Sequence, residues 1–225
     1  MDVISVKNLS KNFGKVSALD NLSFTVPKNR VFGLLGSNGA GKTTTMNILS
    51  GLLLPTSGEV KIFDIDIKKG IEKIRKNIGF VPQNISLYQD LSVFENLEFF
   101  GGIYIKDSVK LKNKINKISK IFKISDKLNL RVGSLSGGFK RRCSIACAVL
   151  NEPKILFLDE PLTGIDINTN KIIMDFLLSI KNMTIIFTTH SIKEAEAVCD
   201  SIVFLDKGKK VLFGSPKKII DKYSK

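Results

Sequence analysis

The chain contains no tryptophan, one histidine and three cysteines among its 225 residues. Three thiols, an odd number, cannot staple a chain of this length, so a disulfide scaffold is excluded and a reducing compartment is expected. The first ten residues carry no secretory signal pattern. Long apolar runs are also missing. Nothing approaches the roughly 18–20 uninterrupted apolar residues of a membrane span, so the sequence reads as a soluble protein or the soluble part of a larger assembly. Arginine is scarce, with 5 against 30 lysines. That scarcity weakens a nucleic-acid reading, because base and phosphate recognition leans on the bidentate guanidinium fork.

What is present is globular: 43% hydrophobic residues and 35 basic against 21 acidic side chains, or +14. This length suits one core, burying about 70% of the surface of its unfolded chain. Eight lysines and two aspartates between Lys106 and Lys127 supply +6 of the excess. There Leu111, Ile115, Ile118 and Phe122 recur at helical spacing with lysines between them, which predicts a solvated helix face rather than a nucleic-acid patch. Cys143 and Cys147 stand one helical turn apart. With no matching His or Cys pair they are expected to be buried small hydrophobes, not metal ligands.

Short β-branched and aromatic runs alternate with helical patterns. Residues 31–35, 78–81, 155–159, 184–189 and 202–205 are nearly all apolar, as strands covered on both faces are in a parallel α/β sheet. Segments 3–6, 24–26 and 59–63 alternate more and predict an antiparallel layer. Ser92 with Glu95 and Ser191 with Glu194 have capping-box spacing, and Pro216 follows Ser215 at a first helical position. Asp206-Lys207-Gly208 predicts a hairpin turn between the last two strands. From 91 to 150 the periodicity is helical with no convincing strand, so this stretch is expected as a helical insert. The α/β core is then 1–90 and 151–225 of one domain.

Gly36-Ser37-Asn38-Gly39-Ala40-Gly41-Lys42-Thr43 matches G-x-x-x-x-G-K-[ST], following a predicted strand and opening a predicted helix. Glycines let successive amides converge on an anion at the positive end of the helix dipole. Lys42 is placed to meet the β- and γ-phosphates, and the Thr43 hydroxyl to ligate Mg²⁺. The strand at 155–159 ends in Asp159-Glu160, which puts carboxylates at the carboxyl edge of the sheet. Neighbouring side chains on a strand point apart, so the two acids are given separate tasks: Asp159 on the metal, Glu160 orienting and deprotonating the attacking water.

Leu135-Ser136-Gly137-Gly138-Phe139-Lys140-Arg141-Arg142 resembles the signature motif of the ATP-binding subunits of ABC transporters. The likeness runs over essentially the whole chain. It implies a P-loop NTPase core with a mostly parallel sheet, an N-terminal antiparallel β layer and an inserted helical subdomain. Phe13 matches the aromatic that stacks on adenine. Thr44 joins Gly36, Ser37, Asn38, Gly39, Ala40, Gly41, Lys42 and Thr43 as the ATP-binding set. Gln83 matches the glutamine that links Mg²⁺ and water to the membrane partner, Asp166 the loop at the dimer interface, and His190 the histidine facing the γ-phosphate. Ser136, Gly137 and Gly138 would act on the partner's ATP, as a hydroxyl and glycine amides at a helix N-terminus. Three positions depart from the pattern: Phe139 where Gln is usual, Ser37 where Pro is common, Ile165 where Leu is.

The resemblance further implies two ATPase subunits, identical or homologous, facing each other head to tail. Separate integral membrane permease subunits would dock on the surface from Leu87, Tyr88, Leu91 and Val93 to 99–104. The chain would then lie on the cytoplasmic face of the cell membrane through that partner. The loop sequence and the close of the chain soon after its last helix, at Lys225, look most like exporter subunits of the drug or lipid type. A soluble ATPase acting on ribosomes or nucleic acid is the competing class, supported by the +14. Such members carry two cassettes or a long coiled-coil insertion, and this sequence has neither.

Overall fold

The polypeptide begins with a long antiparallel hairpin. In the computed structural model, which describes residues 1–223, β1 (Asp2–Phe13) and β2 (Val16–Pro27) pair along their whole length. The expectations that rest on Lys225 lie outside the described residues. β4 (Ser57–Ile62) pairs with the other edge of β1 and the short β5 (Ile65–Asp66) follows it, giving the order β2-β1-β4-β5. Ile4, Val6, Leu22, Phe24 and Val26 turn inward along the hairpin, which is the predicted alternation.

The second sheet has six strands in the order β10-β9-β3-β8-β7-β6. β3 (Val31–Gly36), β6 (Ile78–Val81), β7 (Ile155–Leu158), β8 (Thr184–Thr189) and β9 (Ser201–Asp206) run parallel. β10 (Lys209–Gly214) returns antiparallel to β9. The turn between them holds Lys207 and Gly208 both at positive φ, which fits a right-twisted hairpin. Every residue of β7 and β8 is buried because the sheet is covered twice. Ile155, Phe157 and Ile186 pack with the antiparallel layer, α1 (Lys42–Leu49) and α2 (Ile67–Arg75). Leu156, Leu158, Ile185 and Phe187 pack on the opposite side, against helices.

Those helices are α3 (Val93–Gly102), α4 (Ser108–Ile121), α5 (Gly137–Val149), α6 (Ile167–Ser179), α7 (Ile192–Val198) and α8 (Pro216–Tyr223). Residues 91–150 hold α3, α4 and α5 and no strand. The predicted capping box at Ser92 and Glu95 is complete, with both reciprocal bonds made. Leu111, Ile115 and Phe122 face inward along α4, while Lys110, Lys112, Lys117 and Lys120 are exposed. The second capping box is only half made. Ser191 accepts from the Glu194 amide, but the Glu194 carboxylate accepts from Thr189 Oγ1 at 2.5 Å instead of turning back to Ser191. Leu87 and Val93, expected on a docking surface, are buried in the core; Tyr88, Phe99, Ile103 and Tyr104 remain exposed.

Candidate functional site

The phosphate-loop sequence forms a tight connection from the end of β3 into α1. Gly41, at φ +100, is required twice over: that conformation strains any L side chain, and a Cβ would meet Leu19 Cδ2 at 2.6 Å and the Ala18 carbonyl at 2.9 Å. The N-terminus of α1 has no side-chain cap and no acidic residue in its first turn, so its amides and dipole are open to an anion. Asn38, Gly39, Gly41, Lys42, Thr43 and Thr44 line a cleft of 580 Å³ with Phe13, Gln83, Glu160, Thr163 and His190. Gly36, Ser37 and Ala40 shape the loop without lining that cleft; Ala40 is buried beneath it.

Lys42 and Glu160 form the electrostatic centre. Lys42 Nζ donates to the carbonyls of Gly36 at 2.9 Å and Ser37 at 3.1 Å and lies 3.2 Å from Glu160 Oε1. Their side chains are 4% and 7% exposed, so neither charge has water as an alternative partner. The second carboxylate oxygen of Glu160 accepts from Thr163 Oγ1 at 3.1 Å and Gln83 Nε2 at 3.4 Å, and His190 Nδ1 stands 3.8 Å away. Glu160 follows the strand in left-handed backbone, φ 45. That turn aims it into the cleft.

Asp159 takes the other direction. β7 ends at Leu158, one residue earlier than expected, although the Asp159 amide still donates to the Val81 carbonyl. Its side chain is 1% exposed and accepts from Thr188 Oγ1 at 2.6 Å. The same hydroxyl accepts from the Glu160 amide at 2.7 Å. One threonine on β8 therefore fixes both acids.

Ser136, Gly137 and Gly138 are not in the cleft. Ser136 caps α5, accepting from the Phe139 amide at 3.3 Å. Gly138 packs against Asp166, where a Cβ would come within 2.6 Å of Asp166 Oδ2 and of Thr169 Oγ1. Asp166 caps α6 through the Thr169 amide at 2.9 Å and the Thr169 hydroxyl at 2.7 Å, and these bonds hold its carboxyl below the usual range. Phe139 is buried in the core, its ring contacted by Arg142 at 4.6 Å and Lys127 at 5.0 Å. Phe13, by contrast, is 51% exposed at the end of β1, with Lys11 Nζ 5.1 Å from its ring centre.

Sequence reasoning missed Thr163, Thr188 and Arg141. Thr163 and Thr188 sit beside expected residues, but hydroxyls are too common to stand out. Arg141, on α5, donates to the carbonyls of Pro82 (2.8 Å) and Gln83, and burial pushes its pKa down. The three thiols are free; burial pushes those of Cys143 and Cys199 up to about 12 and that of Cys147 up as well. Among the described residues no cluster of three or more His, Cys, Asp or Glu could hold a metal, and no helix is long and apolar enough to cross a membrane.

A glycine-rich strand-to-helix loop at the carboxyl edge of a parallel sheet, faced by two acids, defines a phosphate-loop ATPase. The family model described as ABC transporter matches residues 19–163, and the chain belongs to that family. It is similar to the "Nod factor export ATP-binding protein I" of Rhizobium sp. (strain N33), 39% identical over 98% of this chain and 73% of that protein. It is 40% identical to the "Probable multidrug ABC transporter ATP-binding protein YbhF" of Escherichia coli (strain K12), over 95% of this chain and 37% of that one. A solved ATP-binding cassette, in a dimeric post-hydrolysis state bound to ADP and Pi, superposes with a TM-score of 0.87 at 28% identity, covering 95% of this chain and 98% of that one. The chain is thus an ATP-binding, ATP-hydrolysing subunit of an ABC transporter.

Proposed function

We propose that the chain powers an exporter-type transporter, with each ATP held between one subunit's phosphate loop and the Ser136–Gly138 segment of a second subunit. The observation that carries this is the separation just described. The cleft holds Lys42, Gln83, Glu160 and His190, while the Ser136–Gly138 segment of the same chain lies outside it. A two-fold pair uses both kinds of half-site twice, and the shared ligand favours the closed state until hydrolysis removes it.

In this reading Phe13 stacks on the base, the loop amides and Lys42 hold the phosphates, and Thr44 supports them. Glu160 takes a proton from the water whose oxygen attacks the γ-phosphorus as the bond to ADP breaks. Gln83 and His190 orient water and γ-phosphate around it. The oxygen donors of Thr43, Gln83 and Asp159 suit Mg²⁺, which favours phosphates and water over an all-protein cage; bound there, it would neutralise phosphate charge. Asp159, 1% exposed and not among the cleft-lining residues, would act on such an ion directly or through water.

Separate membrane permease subunits would seat on the groove of 180 Å³ lined by Leu87, Phe100, Ile103, Tyr104 and Cys147, beside exposed Tyr88 and Phe99, placing the chain on the cytoplasmic face of the membrane. Export and multidrug relatives support the direction of transport. The test is Glu160→Gln. Turnover is expected to fall about 10²–10⁴-fold while ATP binding survives and dimers accumulate. Undiminished hydrolysis overturns the role of Glu160, and full activity in a strictly monomeric preparation overturns the shared site. RNA or DNA copurifying and lost in high salt, without membrane protein, would favour the nucleic-acid class.

A further inference from the structure

Arg141 lies in the second turn of α5 with 5% of its surface exposed. Among the described residues it forms no direct ion pair, although the Asp159 carboxylate is near enough to offset part of the cost of burying its charge. Its guanidinium donates instead to two successive carbonyls, Pro82 and Gln83, in the segment that leaves β6. A buried charge is costly unless its donors are met, so this placement needs a reason that a neutral side chain in the same space would not satisfy. The planar fork suits it: two donors held at fixed spacing match two carbonyls one residue apart, which a point-charge ammonium cannot do.

The carbonyl partner is Gln83 itself, whose side-chain amide donates to Glu160 Oε2 at 3.4 Å. At the N-terminus of the same helix, just before its first turn, Ser136 is the N-cap. A continuous path therefore runs from Ser136 along α5 to Arg141, through the Gln83 main chain and amide, to the Glu160 carboxylate. We propose that Arg141 is a positioning residue that clamps the Gln83 main chain to α5, so that engagement of Ser136–Gly138 sets the distance between Gln83 and Glu160 in the chain's own cleft. The inference rests on the roles given to Gln83 and Glu160 above. Arg141 does not line the cleft; it acts through Gln83.

The test uses the full chain with Arg141→Ala, Arg141→Lys, Gln83→Ala and the double variant Gln83→Ala/Arg141→Ala. For Arg141→Ala, kcat is expected to fall about 10- to 100-fold, with the KM for ATP and the affinity for a fluorescent ATP analogue little changed. Millimolar guanidinium chloride should restore part of that kcat, and Arg141→Lys should retain an intermediate value. The double variant should be no slower than Gln83→Ala alone, because clamping a residue whose side chain is gone has no effect. Where Arg141→Ala does not fold, Arg141→Lys and Arg141→Gln carry the same kcat-against-KM comparison. Unchanged kcat in folded variants, a loss of affinity matching the loss of kcat, or additive losses in the double variant each overturn the clamp. Unchanged kcat in Gln83→Ala overturns the underlying reading of Gln83 instead, so the two failures are distinguishable.

Discussion

Lys42 Nζ stands 3.2 Å from Glu160 Oε1 at the buried base of the cleft, so the phosphate-loop cation and the acid facing the cleft neutralise each other. With the role proposed for Lys42, an arriving phosphate would compete with that carboxylate for the ammonium. The pair holds both groups in place, and in the proposed reading the arrival of one charge would be coupled to the release of the other.

Lys42→Ala is expected to abolish nucleotide binding and to destabilise the chain by about 3 kcal/mol, because Glu160 is left buried without its counter-charge. The double variant Lys42→Ala/Glu160→Gln should regain most of that stability in a urea titration while still failing to bind. A double variant as unstable as Lys42→Ala would show that the pair is not what stabilises the region.

Thr188→Val keeps the volume of the side chain and removes the hydroxyl shared by the Asp159 carboxylate and the Glu160 amide. Two buried polar groups lose a partner, and a loss of about 2–4 kcal/mol is expected in chemical unfolding. Thr189 is the comparison: its hydroxyl likewise serves two groups, donating to Glu194 and accepting from the Ser191 amide, but both partners are only half-buried and can turn to water, so Thr189→Val should cost less than Thr188→Val.

The two signature glycines should separate folding from function. A Cβ at Gly138 meets Asp166 and Thr169, so Gly138→Ala is expected to lower stability by about 1–3 kcal/mol as the α6 cap is displaced. A Cβ at Gly137 meets nothing within 4 Å. Gly137→Ala should leave the melting temperature and nucleotide binding by the monomer unchanged, and lower turnover by crowding the partner's ATP. Equal melting temperatures for the two variants would contradict the packing at Gly138.

Burial sets the chemistry of the thiols. With Cys143 and Cys199 buried and pushed up to about 12, almost no thiolate of either exists at pH 8, so iodoacetamide should leave both unmodified in the folded chain, while Cys147, half-buried at the groove, should react first. Mass spectrometry before and after denaturation checks this. The raised value favours the neutral thiol in the fold, so stability attributable to these groups persists below the ordinary thiol pKa and falls as pH climbs from there toward 12.

The strands of the parallel sheet were legible because a strand covered on both faces must be apolar throughout, as β7 and β8 are. The β1–β2 hairpin was visible only in fragments. Asn8 and Asn21 sit within it at positive φ, and its ladder is irregular around them, so the alternation breaks where polar residues form bonds with Ser23 and Ser10. Lys42, Asp159 and Glu160 were readable because their spacing is local and their chemistry uncommon. Thr188, Thr163 and Arg141 were not, since each gains its partner only when segments distant in sequence meet. The Glu194 carboxylate shows the same limit from the other side. Its spacing suited a reciprocal cap, and a nearby hydroxyl captured it.

The ring of Phe13 belongs to one sheet and the phosphate loop to the other, so in the proposed reading two layers would grip opposite ends of a nucleotide. An aromatic face has no pattern of donors and acceptors with which to read a heterocycle, and stacking tolerates any flat base. On that reading recognition would be concentrated on the triphosphate tail. The machine should accept guanosine, cytidine or uridine triphosphates nearly as readily as adenosine triphosphate, leaving the choice of fuel to whichever is most abundant around it.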